Sequence, residues 1–171
     1  MSEDTGYLCG SCGQWHEELP MSYGAPMPEF WTDDLERDRT SGLSSDQCVI
    51  KGEQFFVHGL IEIPVIDSDE LFSWGVWVSL SQENYDRMAQ LWEMPGRENE
   101  PPYFGWLSTQ LPVYAPTTIN LRTHVHTRPV GERPSIELEP TSHPLAIEQR
   151  KGITLARVRQ FADILLHGQP S

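Results

Sequence analysis

Two cysteines near the amino terminus have the spacing of half a metal site. In the segment CGSCGQWH, two residues separate Cys9 from Cys12, a glycine follows each cysteine, and His16 comes four residues after the second. Thiolate and imidazole groups are the ligands that zinc prefers, usually four in a tetrahedron. The third cysteine, Cys48, precedes the first long apolar segment. One prediction is therefore a closed structural zinc site made of Cys9, Cys12, His16 and Cys48.

Two other interpretations of the cysteines stay open. A redox pair, or a zinc-dependent redox switch, needs a Cys-x2-Cys with a lowered thiol pKa, typically at the start of a helix. Gly10, Gly13 and Pro20 argue against a long helix there. The other interpretation is that the cysteines are free and packed, and Cys48, beside two apolar residues, is typical of a small buried hydrophobic residue. Three cysteines is an odd number, so we expect no disulfide framework.

Four polar residues on predicted strands could carry acid–base or metal chemistry. His124 and His126 project from one face of a strand, while His58 and Glu62 share the non-core face of another. Histidine pairs chelate metals, and a single histidine can act as a general base. The alternative function is therefore a hydrolase-like or metal-dependent enzyme that uses this histidine-bearing face. A solvated strand face explains the same pattern without catalysis.

The charge balance narrows the classes of partner. The 171-residue chain has 25 acidic and 12 basic residues and a net charge of −13. Binding to nucleic acid or to an anionic membrane surface relies on an excess of Lys and Arg, so neither is expected. An acidic surface would attract a basic protein partner, and solubility alone is the more common reason for such a surface. The sequence has no apolar run of transmembrane length and no signal-peptide pattern, so we expect a cytoplasmic protein.

Alternating apolar residues predict a central hairpin. The segments FFVHGLIEIPV and LFSWGVWVSL give strands at about 55–65 and 72–80, joined by a turn at 67–70. We expect Ile63 to lie opposite Trp74, and Ile61 opposite Val76. A helix is predicted at about 82–93, with Ser81 as its N-cap and Trp92 on its buried stripe. Another is predicted at about 155–167, with a shorter one from Pro144, and further strands at YFGWL, TINLRTHVH and SIELE. The prediction is an α+β fold with an antiparallel sheet, in a single domain over 1–171 with a knuckle and loop region at 7–48 and a core at 49–167.

Long motifs in this chain resemble those of a bacterial family catalogued as domain of unknown function 2199. The resemblance rests on CGSCGQWHEELPMSYG, SSDQCVI, HGLIEIPVIDSDELFSWGVWVSLS, PYFGWL and PSIELEPTSHPLAIEQRKGIT, and it spans roughly residues 7–167. It implies a single-domain bacterial protein, and it brings no catalytic residue with it. It also implies that Cys9, Cys12 and Cys48 belong to one set, which supports zinc.

The main functional hypothesis is a protein-binding domain that is not an enzyme. An acidic, tryptophan-rich domain without a catalytic constellation is typical of an immunity- or adaptor-like role, in which it holds a basic partner. Trp15, Trp31 and Trp106 lie in loop-like or short segments, and any of them that are exposed would suit a protein interface. The zinc site would then stabilise the fold.

Overall fold

The computed structural model describes residues 19–166 in full and residues 7–8 and 15–16 by their backbone alone. The strands within these ranges are β1 (Tyr7–Leu8), β2 (Trp15–His16), β3 (Ser22–Gly24), β4 (Gly42–Leu43), β5 (Gln47–Ile50), β6 (Gln54–Pro64), β7 (Leu71–Leu80), β8 (Tyr103–Leu107), β9 (Arg122–His126) and β10 (Ser135–Leu138). The helices are α1 (Gln82–Gln90), α2 (Pro144–Lys151) and α3 (Leu155–Leu166), with short 3-10 helices at Asp33–Arg37 and Arg97–Asn99. The predicted α+β class is confirmed.

Strands β3 to β10 form one sheet, and five of them close into a barrel. The order in the sheet is β3-β7-β8-β9-β10-β6-β5-β4, and β6 also pairs with β7, which closes the ring β6-β7-β8-β9-β10. Consecutive strands of this ring are antiparallel, so the first and the fifth point the same way and their pairing must be parallel. Strand β3 also pairs parallel with β7. The predicted antiparallel sheet is therefore correct for most neighbours and wrong for these two pairs.

The barrel closes through a close backbone contact. Ser135 of β10 lies opposite Leu60 of β6, and the Leu60 amide donates to the Pro134 carbonyl at 2.9 Å. A Cβ atom on Gly59 would lie 2.6 Å from the Ile136 side chain and 2.9 Å from the Pro134 oxygen. The absence of a side chain at Gly59 is therefore what lets β10 approach β6.

Beyond that contact, a side chain from α2 takes the place of a strand. The Gln149 amide nitrogen donates to the Ile136 carbonyl at 2.8 Å, and its oxygen accepts from the Leu138 amide at 2.8 Å. These two backbone groups lie on the edge of β10 that faces away from β9. Gln149 therefore satisfies polar groups that a longer β6–β10 pairing would otherwise have used.

The predicted hairpin is confirmed, but its predicted register is wrong. In β6 and β7, Ile63 lies opposite Phe72 and Ile61 lies opposite Trp74, two residues away from the expected partners. A shift of two residues keeps every side chain on the same face, so the apolar pattern alone does not choose between these registers. The register is fixed by the connecting turn, in which the Ser68 amide donates to the Val65 carbonyl.

The helices begin where the sequence predicts, and one ends early. The Ser81 hydroxyl caps α1 by accepting from the Asn84 amide at 3.1 Å, but the helix ends at Gln90 rather than near residue 93. Trp92, expected on the buried stripe of this helix, lies beyond its end under the guanidinium of Arg97. No helix in the described part of the chain is both apolar and long enough to cross a membrane.

Two apolar clusters lie on opposite sides of the barrel wall. The main core fills the barrel and the space beneath α2 and α3, and it includes Ile61, Trp74, Ile136 and Phe161, all at most 1% exposed. The second cluster, called the outer cluster here, covers the outside of β6 and β7 and consists of Trp31, Leu35, Cys48, Ile50, Phe56 and Trp77. Part of the predicted loop region 7–48 thus packs on the barrel, and its strands β3, β4 and β5 extend the sheet.

The close approach at Gly59 gives a stability prediction. We expect Gly59→Ala to lower the free energy of unfolding by about 1–3 kcal/mol, because the added methyl must push β10 away from β6. Gly42→Ala is the control, since a Cβ there would meet nothing within 4 Å. Urea unfolding of both variants checks this, and equal stabilities would contradict the proposed role of Gly59.

Candidate functional site

The residues predicted to bind zinc are only partly described by the structure. Cys9 and Cys12 lie outside the described residues, and for His16 the structure gives the backbone alone, opposite Tyr7 in the β1–β2 pair. Cys48 lies in β5 opposite Phe56, with 1% of its surface exposed, and burial raises the pKa of its thiol to about 11. This apolar setting favours the packing interpretation of Cys48. The four-ligand site stays a prediction.

His124 and His126 lie together on the outside of the barrel. Their Nε2 atoms lie 3.0 Å from a Glu139 carboxylate oxygen and 2.9 Å from a Glu137 oxygen, respectively. Both histidines line a groove of about 470 Å³ that also includes Arg150. Each imidazole therefore has a carboxylate partner, Glu137 within the neighbouring strand β10 for His126 and Glu139 directly after that strand for His124.

The other two residues of the predicted histidine-bearing face lie elsewhere. Glu62 forms an ion pair with Arg128, and His58 lines a different groove with Arg133. Among the grooves described for residues 19–166, none is lined by all four of these side chains. In the same part of the chain, no three His, Cys, Asp or Glu side chains are arranged to hold a metal ion.

His58 is buried and held in one orientation. Its ring stacks on Trp77 with the ring centres 4.9 Å apart and the planes 11° from parallel, and 7% of the residue is exposed. The Nδ1 atom lies 3.0 Å from the Ser45 carbonyl oxygen, an acceptor, so Nδ1 carries the proton and donates it. Burial lowers the pKa of His58, and the positive charge of Arg133 lowers it further.

A groove with aromatic walls lies where the outer cluster meets the uncovered face of the barrel. This aromatic groove has a volume of about 430 Å³, and its lining consists of Phe30, Glu53, Gln54, Phe55, Phe56, Ser79, Leu80, Trp106, Ser108 and Asn120. Phe30 is 44% exposed and Trp106 is 40% exposed. Phe104, 36% exposed, contacts Trp106 edge-to-face with the ring centres 5.0 Å apart. Large apolar side chains are therefore exposed side by side along one surface.

The sheet register fixes the orientation of Trp106. Arg122 of β9 lies opposite Trp106 of β8, and its guanidinium carbon is 5.4 Å from the centre of the indole and 5.9 Å from the centre of the Phe104 ring. Asn120, at a left-handed φ of 68°, donates through its amide to the Leu107 carbonyl at 2.7 Å, which holds the start of β9 against β8. The cation–π contact therefore holds the aromatic pair in place.

Sequence reasoning identified Trp106 but missed the groove. The segment YFGWL places Tyr103, Gly105 and Leu107 on one face and the two aromatic residues Phe104 and Trp106 on the other. Two aromatic residues on the outward face of a short strand are the signal that indicates this surface. The approach of Phe30 from the amino-terminal region could not be predicted, because it depends on the packing of the outer cluster.

A family comparison agrees with the resemblance in the motifs. A family described as "Uncharacterized protein conserved in bacteria (DUF2199)" matches residues 8–153. The chain belongs to this family. No curated protein and no solved structure matches the chain. The family match covers both the aromatic groove and His58, and its description assigns no activity to either.

The buried imidazole of His58 predicts a pH dependence of stability. Because its pKa is lower in the folded protein than in the unfolded chain, protonation favours unfolding, and stability falls as the pH drops below about 6.5. His58→Asn removes the titrating group and keeps a donor for the Ser45 carbonyl. Between about pH 7.5 and about pH 5.5, we expect the wild type to lose more unfolding free energy than this variant, with about 1.4 kcal/mol as the upper limit for one proton.

Urea unfolding at the two pH values checks this difference. The control is Ile66→Ala, an exposed position without a titrating group, which retains His58 and should show the wild-type loss. Equal losses in the wild type and in His58→Asn would contradict the assignment of His58 as a buried neutral imidazole.

Proposed function

We propose that this protein is an adaptor- or immunity-like domain that binds a basic segment of another protein in the aromatic groove. The proposal rests on the exposure of Trp106. This side chain is 40% exposed at the groove and contacts both Phe104 and Arg122. Tryptophan and arginine are enriched among the residues that dominate the binding energy of protein interfaces. Isolated apolar side chains on a surface are ordinary, whereas adjacent aromatic rings on one groove favour an interaction surface.

The contacts around Trp106 support binding with a small loss of conformational entropy. Its ring touches Phe104 edge-to-face and lies beneath the guanidinium of Arg122. On the facing wall, Phe30 stacks on Phe56 with the ring centres 6.2 Å apart. Side chains that are already fixed before association lose less freedom when a partner binds. The groove is therefore suited to a partner segment with an apolar side chain.

The charges near the groove favour a basic partner. Glu53 lines the groove, and Glu29 directly precedes Phe30. The 3-10 helix that follows Phe30 and Trp31 adds three acidic residues, Asp33, Asp34 and Glu36, and one basic residue, Arg37. The whole chain has a net charge of −13. Opposite charges steer association and disfavour acidic competitors, so Lys or Arg should flank the apolar side chain of the partner.

Selection from a random peptide library displayed on phage tests this proposal. The wild-type protein is the target, and phage that also bind Trp106→Ala are removed in each round. We expect the enriched peptides to carry net positive charge and at least one apolar side chain. Their affinity should fall about tenfold or more in Trp106→Ala and should weaken with added salt.

The control variant is Ile66→Ala. Ile66 is 69% exposed and does not line the aromatic groove, so its removal should leave peptide affinity unchanged. Three outcomes would overturn the proposal: no enrichment over the counter-selection, enrichment of acidic peptides, or a wild-type dimer that Trp106→Ala abolishes. The last result would assign the aromatic groove to a second copy of this chain.

We further propose that the amino-terminal knuckle holds a structural zinc ion through Cys9, Cys12 and His16. The backbone supports this, because β1 and β2 pair antiparallel with Leu8 opposite Trp15, and these two strands flank the segment 9–14 that contains both cysteines. Zinc knuckles of the Cys-x2-Cys type supply two ligands in this way. Cys48 was the fourth ligand in the sequence-based hypothesis, and its apolar surroundings make it the ligand that most needs a test.

Elemental analysis of freshly purified protein tests the zinc proposal. We expect roughly one zinc per chain in the wild type and a loss of zinc in Cys12→Ser. Cys48→Ala separates two arrangements: retention of zinc would mean that Cys48 only packs, and loss would mean that Cys48 is a ligand. A wild-type protein without zinc, purified in the absence of chelators, would contradict the proposal.

A further inference from the structure

A second groove lies further along β6, where the amino-terminal segment meets the turn between β4 and β5. This groove, called the His58 groove here, has a volume of about 450 Å³. Ala25, Pro26 and Leu43 form its apolar lining, and His58 and Arg133 contribute polar groups. Its size is within the range of roughly 300–1,000 Å³ that is typical of small-molecule sites.

His58 offers an unused hydrogen-bond acceptor at this groove. Its Nδ1 proton is donated to the Ser45 carbonyl, so Nε2 of the neutral ring carries a lone pair. Nε2 is buried and has no hydrogen-bond partner among the described residues. Buried polar atoms in native proteins are nearly always paired, with the protein, with water or with a ligand. This atom is therefore free to accept a hydrogen bond from a donor outside the described residues, either a water molecule or a ligand.

The Nε2 atom lies against the backbone of β3 and β7, directly before the residues of the amino-terminal segment that line the His58 groove. It lies 3.0 Å from where a Cβ of Gly75 would stand, and the Cα of Gly24 is 3.1 Å from the same point. Ala25 and Pro26, which line the groove, directly follow Gly24 in the chain. The stack on Trp77 prevents the ring from turning away. A donor that entered the groove would therefore meet a fixed acceptor.

Arg133 supplies a positive charge at the same groove. Its Nε donates to the Asp46 carboxylate at 3.0 Å, and the side chain is 42% exposed. No hydrogen bond joins its two terminal nitrogens to the described residues. These nitrogens form the part of a guanidinium that binds a carboxylate with two parallel hydrogen bonds. The charge also acts on His58, whose pKa it helps to lower.

We propose that the His58 groove binds a small apolar carboxylate that carries a hydroxyl or N–H group, with this group donating to Nε2 of His58 and the carboxylate accepting from Arg133. The apolar body of the ligand would lie against Ala25, Pro26 and Leu43. This site is separate from the aromatic groove, because the two share no lining residue. The inference therefore does not depend on the proposed binding of a basic protein.

Three related probes test the two polar contacts by NMR titration of the full-length protein. para-Hydroxyphenylacetate has both groups, para-methoxyphenylacetate lacks the donor, and para-hydroxyphenylethanol lacks the carboxylate. We expect saturable binding of the first probe at millimolar concentration, with shifts at Leu43 and Ala25. Each of the other two probes should bind roughly fivefold to tenfold more weakly. The ring nitrogen spectrum of His58 should show an unprotonated Nε2 whose signal moves only with the probes that carry a donor.

Variants assign each preference to its residue. His58→Asn keeps a donor for Ser45 and should lose the preference for the hydroxyl, while Arg133→Gln should lose the preference for the carboxylate. Arg150→Gln, which lies in a different groove, should bind as the wild type does. The proposal is overturned if para-hydroxyphenylacetate does not bind, if the three probes bind equally, or if Nε2 of His58 is protonated in the free protein. The last measurement needs no variant, so it stands even if His58→Asn does not fold.

Discussion

The parallel pairing of the first and fifth barrel strands is the constraint on which the rest of this structure depends. It involves one residue pair, Ser135 with Leu60, and one backbone hydrogen bond to Pro134, and it needs the missing side chain of Gly59. Once the ring is closed, the inward faces of all five strands are enclosed in a single apolar core. Ligands and partners must then be recognised on the outside of the barrel.

The outside of the barrel is divided between covered and open surfaces. The outer cluster covers β6 and β7, and the loop between β9 and β10 is held by buried Arg97, which donates to the carbonyls of Trp92, Arg128, Pro129 and Glu132. The outward side chains of β8 remain open to solvent. The aromatic groove and the His58 groove both border the outer cluster, so the segment that forms this cluster shapes both candidate binding sites.

Much of the fold follows from local sequence patterns. The period-two alternation correctly gave the hairpin strands and the outward direction of His58, and the capping residue Ser81 correctly gave the start of α1. The register of the hairpin did not follow, because a shift of two residues preserves every apolar contact face. The closure of the barrel could not be predicted from local patterns either. It depends on contacts of Gly59 and Gln149 with residues of β10 that are distant from them in sequence.

The candidate sites were harder to predict than the fold, for a geometric reason. Alternation correctly indicated that His58, Glu62, His124 and His126 all avoid the core. On a flat sheet they could have formed one surface. A barrel turns the outward side chains of its strands in different directions, so His58 and Glu62 lie apart from each other and from the neighbouring pair His124 and His126. The unpaired Nε2 of His58 depends on contacts with Ser45 and Trp77 that no local pattern reveals.

The amide of Gln149 also affects how this protein meets other chains. Unpaired strand edges are where foreign strands add on and where aggregation begins. Gln149 occupies the edge of β10 that faces away from β9, and the two terminal strands of the sheet, β3 and β4, are three and two residues long. Little backbone is left for another polypeptide to extend the sheet. We therefore expect this domain to recognise partners through its side chains rather than through backbone pairing. The same arrangement protects a strand-rich protein from aggregation by edge-to-edge strand addition.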